Sequence, residues 1–243
     1  MFDRLRKAFS ASGSSASTPG RPVTNRDVSR WAAGQRLAIV AHATDGHFDL
    51  GGDIHGHPWR LECGAPTRDY VQGLELRGRA DVSADPDAAV MVINRPLQEV
   101  LEGTAYDAIT DTLQTAVSSS LPEEMRWLSM YEEMSWPGLP ASFREHFTVV
   151  SERIELAQRW IHAPVVSQLL NAVEGEGGAE RAKSPLVLML ARGRVYLRME
   201  HTQRSLAEIA HAKQLLLVAG QAALQNLPPM SVAGPDDEPG IAG

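Results

Sequence analysis

The sequence holds a single cysteine in 243 residues. One thiol closes no intrachain disulfide and builds no thiolate cage, so a disulfide framework and a structural zinc ribbon are both excluded. Long apolar runs are missing too. No stretch approaches the roughly 20 residues a membrane-spanning helix needs. The basic N-terminus has no apolar segment after it, so no secretory signal is expected and a cytoplasmic location is the default. Positive charge is in deficit, with 23 Lys and Arg against 30 Asp and Glu, for a formal net charge of −7. That balance argues against general nucleic-acid binding, because neutralising phosphates needs a concentrated basic surface. There is also no GxSxG elbow, no HExxH and no glycine-rich phosphate loop, which removes the common hydrolase and nucleotide-binding signatures. No cofactor is expected.

What is there suits a soluble globular chain, with 43% apolar and 22% charged residues and enough length for one large domain or two small ones. The most regular stretch runs from His47 to Val82. Leu50, Gly52 and Ile54, then Trp59, Leu61 and Cys63, recur at every second position, the period of a strand with one buried face. Between them, His55-Gly56-His57-Pro58 reads as a hairpin loop. Leu74 and Leu76 alternate with Glu75, Arg77 and Arg79 to give a third strand. The result is an antiparallel meander in which Arg60 and Glu62 stand beside Glu75 and Arg77. Cys63 alternates with Leu61 and reads as an inert core thiol.

Gly52-Asp53-Ile54-His55-Gly56 resembles the first metal-binding motif of calcineurin-like metallophosphoesterases. The resemblance implies Asp53 and His55 as ligands of a dinuclear centre that generates a hydroxide and clamps phosphate. The later Gly-Asp, Gly-Asn-His and Gly-His-x-His motifs of that family have no counterpart here. A looser metal reading takes Asp53, His55 and His57 together, since His-x-His on a strand puts both rings on one face. Its rival is a solvent-facing hairpin tip that happens to be rich in histidine.

Residues 1–22 read as a flexible tail whose first ten residues form a short amphipathic segment, with Phe2, Leu5 and Phe9 on one side and Arg4, Arg6 and Lys7 around the rest. Weak docking to a partner or an anionic membrane surface is its functional reading, and a frayed tail the plainer one. Asn25 or Asp27 is expected to cap a helix reaching about His42. A buried strand follows at 88–93. Asn94 then caps a helix that Gly103 ends, and a helix opens at Pro122 with two acids in its first turn. Trp136 to Pro140 breaks regular structure and is the expected junction between a first lobe, 23–140, and a second, 141–227.

The second lobe reads as a strand from Phe147, a helix capped by Ser151, and a further helix at 165–173. A hairpin turning at Arg192-Gly193 and a long helix capped by Thr202 or Ser205 complete it. An acidic Pro- and Gly-rich tail, 228–243, should be disordered. The order of elements over residues 147–224 resembles uncharacterised bacterial proteins of unknown function. That resemblance implies an α+β fold and a bacterial origin, and carries no activity with it.

The expected fold class is therefore α+β, antiparallel hairpins and a meander packed by helices in two lobes. The leading functional reading is a non-enzymatic interaction or ligand-binding module acting through Arg60, Glu62, Arg68, Tyr70, Glu75 and Arg77. The partner would be a protein or a small anionic ligand gripped by guanidinium forks. Cross-strand ion pairing on a solvated sheet face is the simpler explanation of the same residues. The alternative function is a metal-dependent hydrolase at the histidine-rich hairpin.

Overall fold

The structure is a computed structural model and describes residues 21–112, 121–174, 178–202 and 205–227. Alternation sets the strands. In β1 (Ala38–Ala41), β2 (Phe48–Ile54), β3 (His57–Gly64) and β4 (Leu74–Asp81), consecutive strands pair antiparallel. The β2–β3 turn is the two residues His55 and Gly56, both with positive φ, as a tight primed hairpin requires. Pro58 does not end the pairing as expected. It lies within β3 opposite Asp53.

Five further strands are β5 (Val90–Asn94), β6 (Glu133–Met134), β7 (Phe147–Ser151), β8 (Leu186–Ala191) and β9 (Arg194–His201). All nine form one antiparallel sheet in the order β1-β2-β3-β4-β9-β8-β5-β7-β6. The α+β class is as the sequence reads. The break at Trp136 to Pro140 does not divide the strands into two sheets, because β9 from the second half pairs with β4 along its whole length.

The helices are α1 (Asn25–Gly34), α2 (Arg95–Thr112), α3 (Glu123–Met130), α4 (Ala141–His146), α5 (Ile154–Trp160), α6 (Ala163–Glu174), α7 (Gly178–Arg181) and α8 (Leu206–Asn226). α8 lies against one face of the sheet. Its buried residues are Ile209, Ala212, Leu215, Leu216, Ala219, Gly220, Ala222 and Ala223. So many small side chains let the helix axis come close to β2, β4 and β9. A Cβ added at Gly78 would stand 3.0 Å from Leu197 Cβ and from Leu216 Cδ2, and one at Gly220 would stand 3.0 Å from Ile54 Cδ1. Trp160 of α5, fully buried, donates from Nε1 to the Ala219 carbonyl at 2.9 Å and pins α8 from its other side. Phe48, Leu50, Leu61, Cys63 and Leu76 complete this core from the sheet.

The opposite face is covered only in part. Leu97 and Leu101 of α2 and Met125 and Trp127 of α3 pack with Met91, Ile93, Val150, Val187 and Met189, above β5, β7 and β8. Over β3, β4 and β9 no helix crosses, and polar side chains occupy that face.

Three local expectations are corrected. The first helix ends at Gly34, not near His42. Thr24 is its cap, in a reciprocal capping box with Asp27, and Ile39 and Val40 are β-branched residues taken up by pairing with β2. α2 runs through Gly103 to Thr112. Gly103 is exposed there, and a solvent-facing helical glycine costs only about 1 kcal/mol, too little to end a helix whose other face is packed. Ser151 does not cap α5. Its hydroxyl closes the end of β7, donating to the Ala89 carbonyl at 2.7 Å and accepting from the Arg153 amide at 3.2 Å. The amphipathic segment at 1–10 and the acidic tail at 228–243 lie outside the described residues.

Gly78→Ala tests the close approach of α8. The added methyl is expected to cost about 1–3 kcal/mol, the usual penalty of overpacking, measured by urea unfolding. A variant as stable as the parent would show that the helix does not rest on this strand.

Candidate functional site

The period of two that buries Leu61, Leu76 and Leu197 turns their neighbours to the open face. Glu62, Arg77 and Arg198 stand in one row across β3, β4 and β9, and Arg60, Arg79 and Tyr196 in the next. A trough of about 190 Å³ lies along these two rows. The strands form its floor, so its walls are set by the sheet rather than by a loop.

The charges here are ordered. Arg60 donates to Asp49 at 2.8 Å and pairs with Glu62 at 3.0 Å. Arg77 lies 3.4 Å from both Glu62 and Glu75, and donates to the Ala65 carbonyl at 2.9 Å. Glu75 is wholly buried. Its Oε2 accepts from the amide and hydroxyl of Thr67 at 2.7 and 2.8 Å, and its Oε1 accepts from Arg198, which also donates to Thr67 Oγ1 at 2.8 Å. A buried carboxylate is tolerated only with such a full set of donors.

Arg79 differs. It is exposed, and among the described residues no acidic side chain pairs with it. Its register neighbours are Arg60 on one side and Tyr196 on the other. Across Asp49, Glu62 and Glu75 there are three carboxylates against the four arginines 60, 77, 79 and 198, so one positive charge is left over on a chain that is acidic overall.

Of the residues singled out from sequence, Arg60, Glu62, Glu75 and Arg77 come together here. Arg68 and Tyr70 do not join them. They meet Glu124 of α3, which is 1% exposed. Arg68 Nε donates to Glu124 Oε1 at 2.6 Å, and the Tyr70 hydroxyl donates to the same oxygen. Burial alone would raise the Glu124 carboxyl, but the guanidinium and the phenol bonded to it hold it below the ordinary carboxylate range. Burial and the Glu124 charge push the Tyr70 phenol well above its ordinary value. The cluster ties the loop after β3 to α3, and touches the trough only through Thr67, whose carbonyl accepts from Arg68 at 3.3 Å.

At the β2–β3 tip, Asp53 Oδ1 accepts from the Gly56 amide at 2.7 Å, the usual task of an Asp that closes a tight turn. His55 is exposed with φ of 53°. Among the described residues no three His, Cys, Asp or Glu side chains gather so as to hold a metal ion, and Asp53, His55 and His57 do not converge. Cys63 is buried, and loss of solvent pushes its thiol up to about 12.

Arg198, Tyr196 and Thr67 complete the face and were not singled out from sequence. The alternation of Val195, Leu197 and Met199 with Tyr196, Arg198 and Glu200 carries the signal for the first two. Glu124 carried one as well. Helical spacing puts it in line with Leu121 and Leu128, on the apolar side of α3.

No protein-family model matches the chain, and no curated protein matches it. Among solved structures the chain is similar to the crystal structure of the mycobacterial trehalose monomycolate transport factor A, TtfA. The TM-score is 0.47 at 10% identity, over 84% of this chain and 96% of that one. A likeness of that degree assigns no role to any residue here.

Two measurements check this electrostatic picture. Glu124 has a lowered folded-state value, so its contribution to stability is present above about 4.5, its ordinary value, and is lost as pH falls through the folded value. Glu124→Gln should be less stable near neutrality, by on the order of 1–3 kcal/mol, with the gap closing as pH falls below that point in urea unfolding. A gap that widens in acid would contradict the assignment. Cys63 should resist a thiol reagent in the native protein and react at once in denaturant; prompt native reaction would place the thiol outside the core.

Proposed function

We propose that this protein is a non-enzymatic ligand-binding module, and that the open face over β3, β4 and β9 takes the anionic head of a small ligand. One observation carries the reading: Arg79 is an exposed guanidinium without a carboxylate partner among the described residues, set in register between Arg60 and Tyr196. A guanidinium fork is the side chain best matched to a planar oxyanion, because two parallel N–H donors meet two oxygens. The adjoining arginines are already held by Asp49, Glu62 and Glu75, so they keep their positions with little further ordering on binding. Tyr196 adds an aromatic surface beside the charge.

The non-enzymatic part of the reading rests on the same network. Each carboxylate at the trough is tied to an arginine, and the Thr67 hydroxyl is bonded to Glu75. No side chain there is left as a base beside a nucleophile.

The test is a titration of the full-length protein with benzoate and with inorganic phosphate, followed by amide NMR. Both should shift β4 and β9 signals around Arg79, and whichever binds more tightly names the head group. Arg79→Gln should weaken binding by about tenfold, the equivalent of about 1.4 kcal/mol. Arg36→Gln, in the turn before β1, should leave it unchanged. Equal binding by Arg79→Gln, or shifts scattered away from the trough, would overturn the proposal.

A further inference from the structure

A second cavity lies on the helix side of the sheet, between α6, α7, the start of α8 and the ends of β8 and β9. It measures about 40 Å³, room for about three water positions, and so for an organic group of a few heavy atoms. Its walls divide by chemistry. Ala172, Pro185, Leu186 and Met199 are apolar, while Ser184, Arg181 and His211 are polar. His211 Nε2 is shut off from solvent and has no hydrogen-bond partner. A buried ring nitrogen left unpaired costs about 1–3 kcal/mol, and native proteins seldom leave one without a water or a ligand.

The charges around the imidazole decide the sign of a ligand. Arg181 of α7 is close enough to act on it electrostatically and, with burial, keeps it below the ordinary histidine value. Glu208, one turn before His211 on α8, also lines the cavity, but its carboxylate is already satisfied. It accepts from His201 Nδ1 at 2.7 Å and from the Thr202 amide and hydroxyl at 3.2 and 2.7 Å. Glu200 of β9 accepts from the Gln72 amide at 2.8 Å, and burial raises it, which lowers the negative charge it presents. The group facing His211 without a compensating carboxylate in these contacts is thus a cation.

We propose that this cavity binds a short aliphatic carboxylate, whose oxygens meet His211 Nε2 and the Arg181 guanidinium while its alkyl end rests on Pro185, Leu186 and Met199. The carboxylate removes the orphaned nitrogen and places negative charge between two groups that otherwise repel when the imidazole is protonated. Binding therefore draws a proton to His211. Acid strengthens it, and the ligand in turn raises the imidazole's midpoint.

The experiment is histidine side-chain and amide NMR on the full chain with acetate or propionate, and with methylammonium as the opposite charge. The carboxylates should shift His211, Ser184 and Leu186, raise the His211 midpoint by about one pH unit, and bind about tenfold more tightly below that midpoint than above it. His211→Gln should lose the pH dependence, and Ala172→Leu should fill the space and lose binding while His211 remains. Overturning results are an unshifted His211 at saturating carboxylate, which would leave trapped water as the partner of Nε2, or a response to methylammonium instead. Because the first readout is on the parent protein, a variant that fails to fold does not rescue the idea.

Discussion

The close approach of α8 to the sheet is the constraint on which the rest depends. Small residues on both surfaces, Gly78 and Ala80 below and Ala212, Ala219 and Gly220 above, let a long helix settle onto β2, β4 and β9. That contact fixes which face of those strands is buried. Because side chains alternate, it also fixes which residues turn the other way. A slip of one residue in β4 would bury Arg77 and Arg79 under α8 and expose Leu76, an exchange costing far more than any surface pair returns.

From that follows the division of labour across the molecule. Where α2 and α3 cover the outer face, β5 and β8 are apolar on both sides, as in Val90 to Asn94 and Leu186 to Ala191, all buried. Where they do not, the same face carries arginines and carboxylates in cross-strand rows. Glu124 stands at the border. Its pairing with Arg68 and Tyr70 holds the loop after β3 against α3, and so limits how far helical cover extends toward the arginines. The outer face is thus half core and half candidate binding surface.

Much of this was legible in the sequence, and the reasons for the rest are physical. The meander and its inner face followed from the period of two in Leu50, Trp59, Leu61 and Leu76, a signal each strand carries by itself. The tight turns at His55-Gly56 and Arg192-Gly193 were legible from glycine. Pairing of β9 with β4 was not. It joins residues more than a hundred positions apart, and nothing local in Tyr196 or Arg198 names Arg79 and Arg77 as neighbours. For the same reason Arg68 and Tyr70 were grouped with the trough, when their partner, Glu124, lies on a helix about fifty residues on. The histidine-rich tip drew attention by composition, but Asp53 there is occupied by a turn amide.

The central claim is that the open face offers one guanidinium, Arg79, that the chain itself leaves uncompensated. A crystal structure grown with benzoate or phosphate tests it most directly. The account predicts an oxyanion seated on Arg79 beside Tyr196, with Arg60, Arg77 and Arg198 still held by Asp49, Glu62 and Glu75. An Arg79 side chain paired instead with a carboxylate of its own chain, and an empty trough, would contradict it.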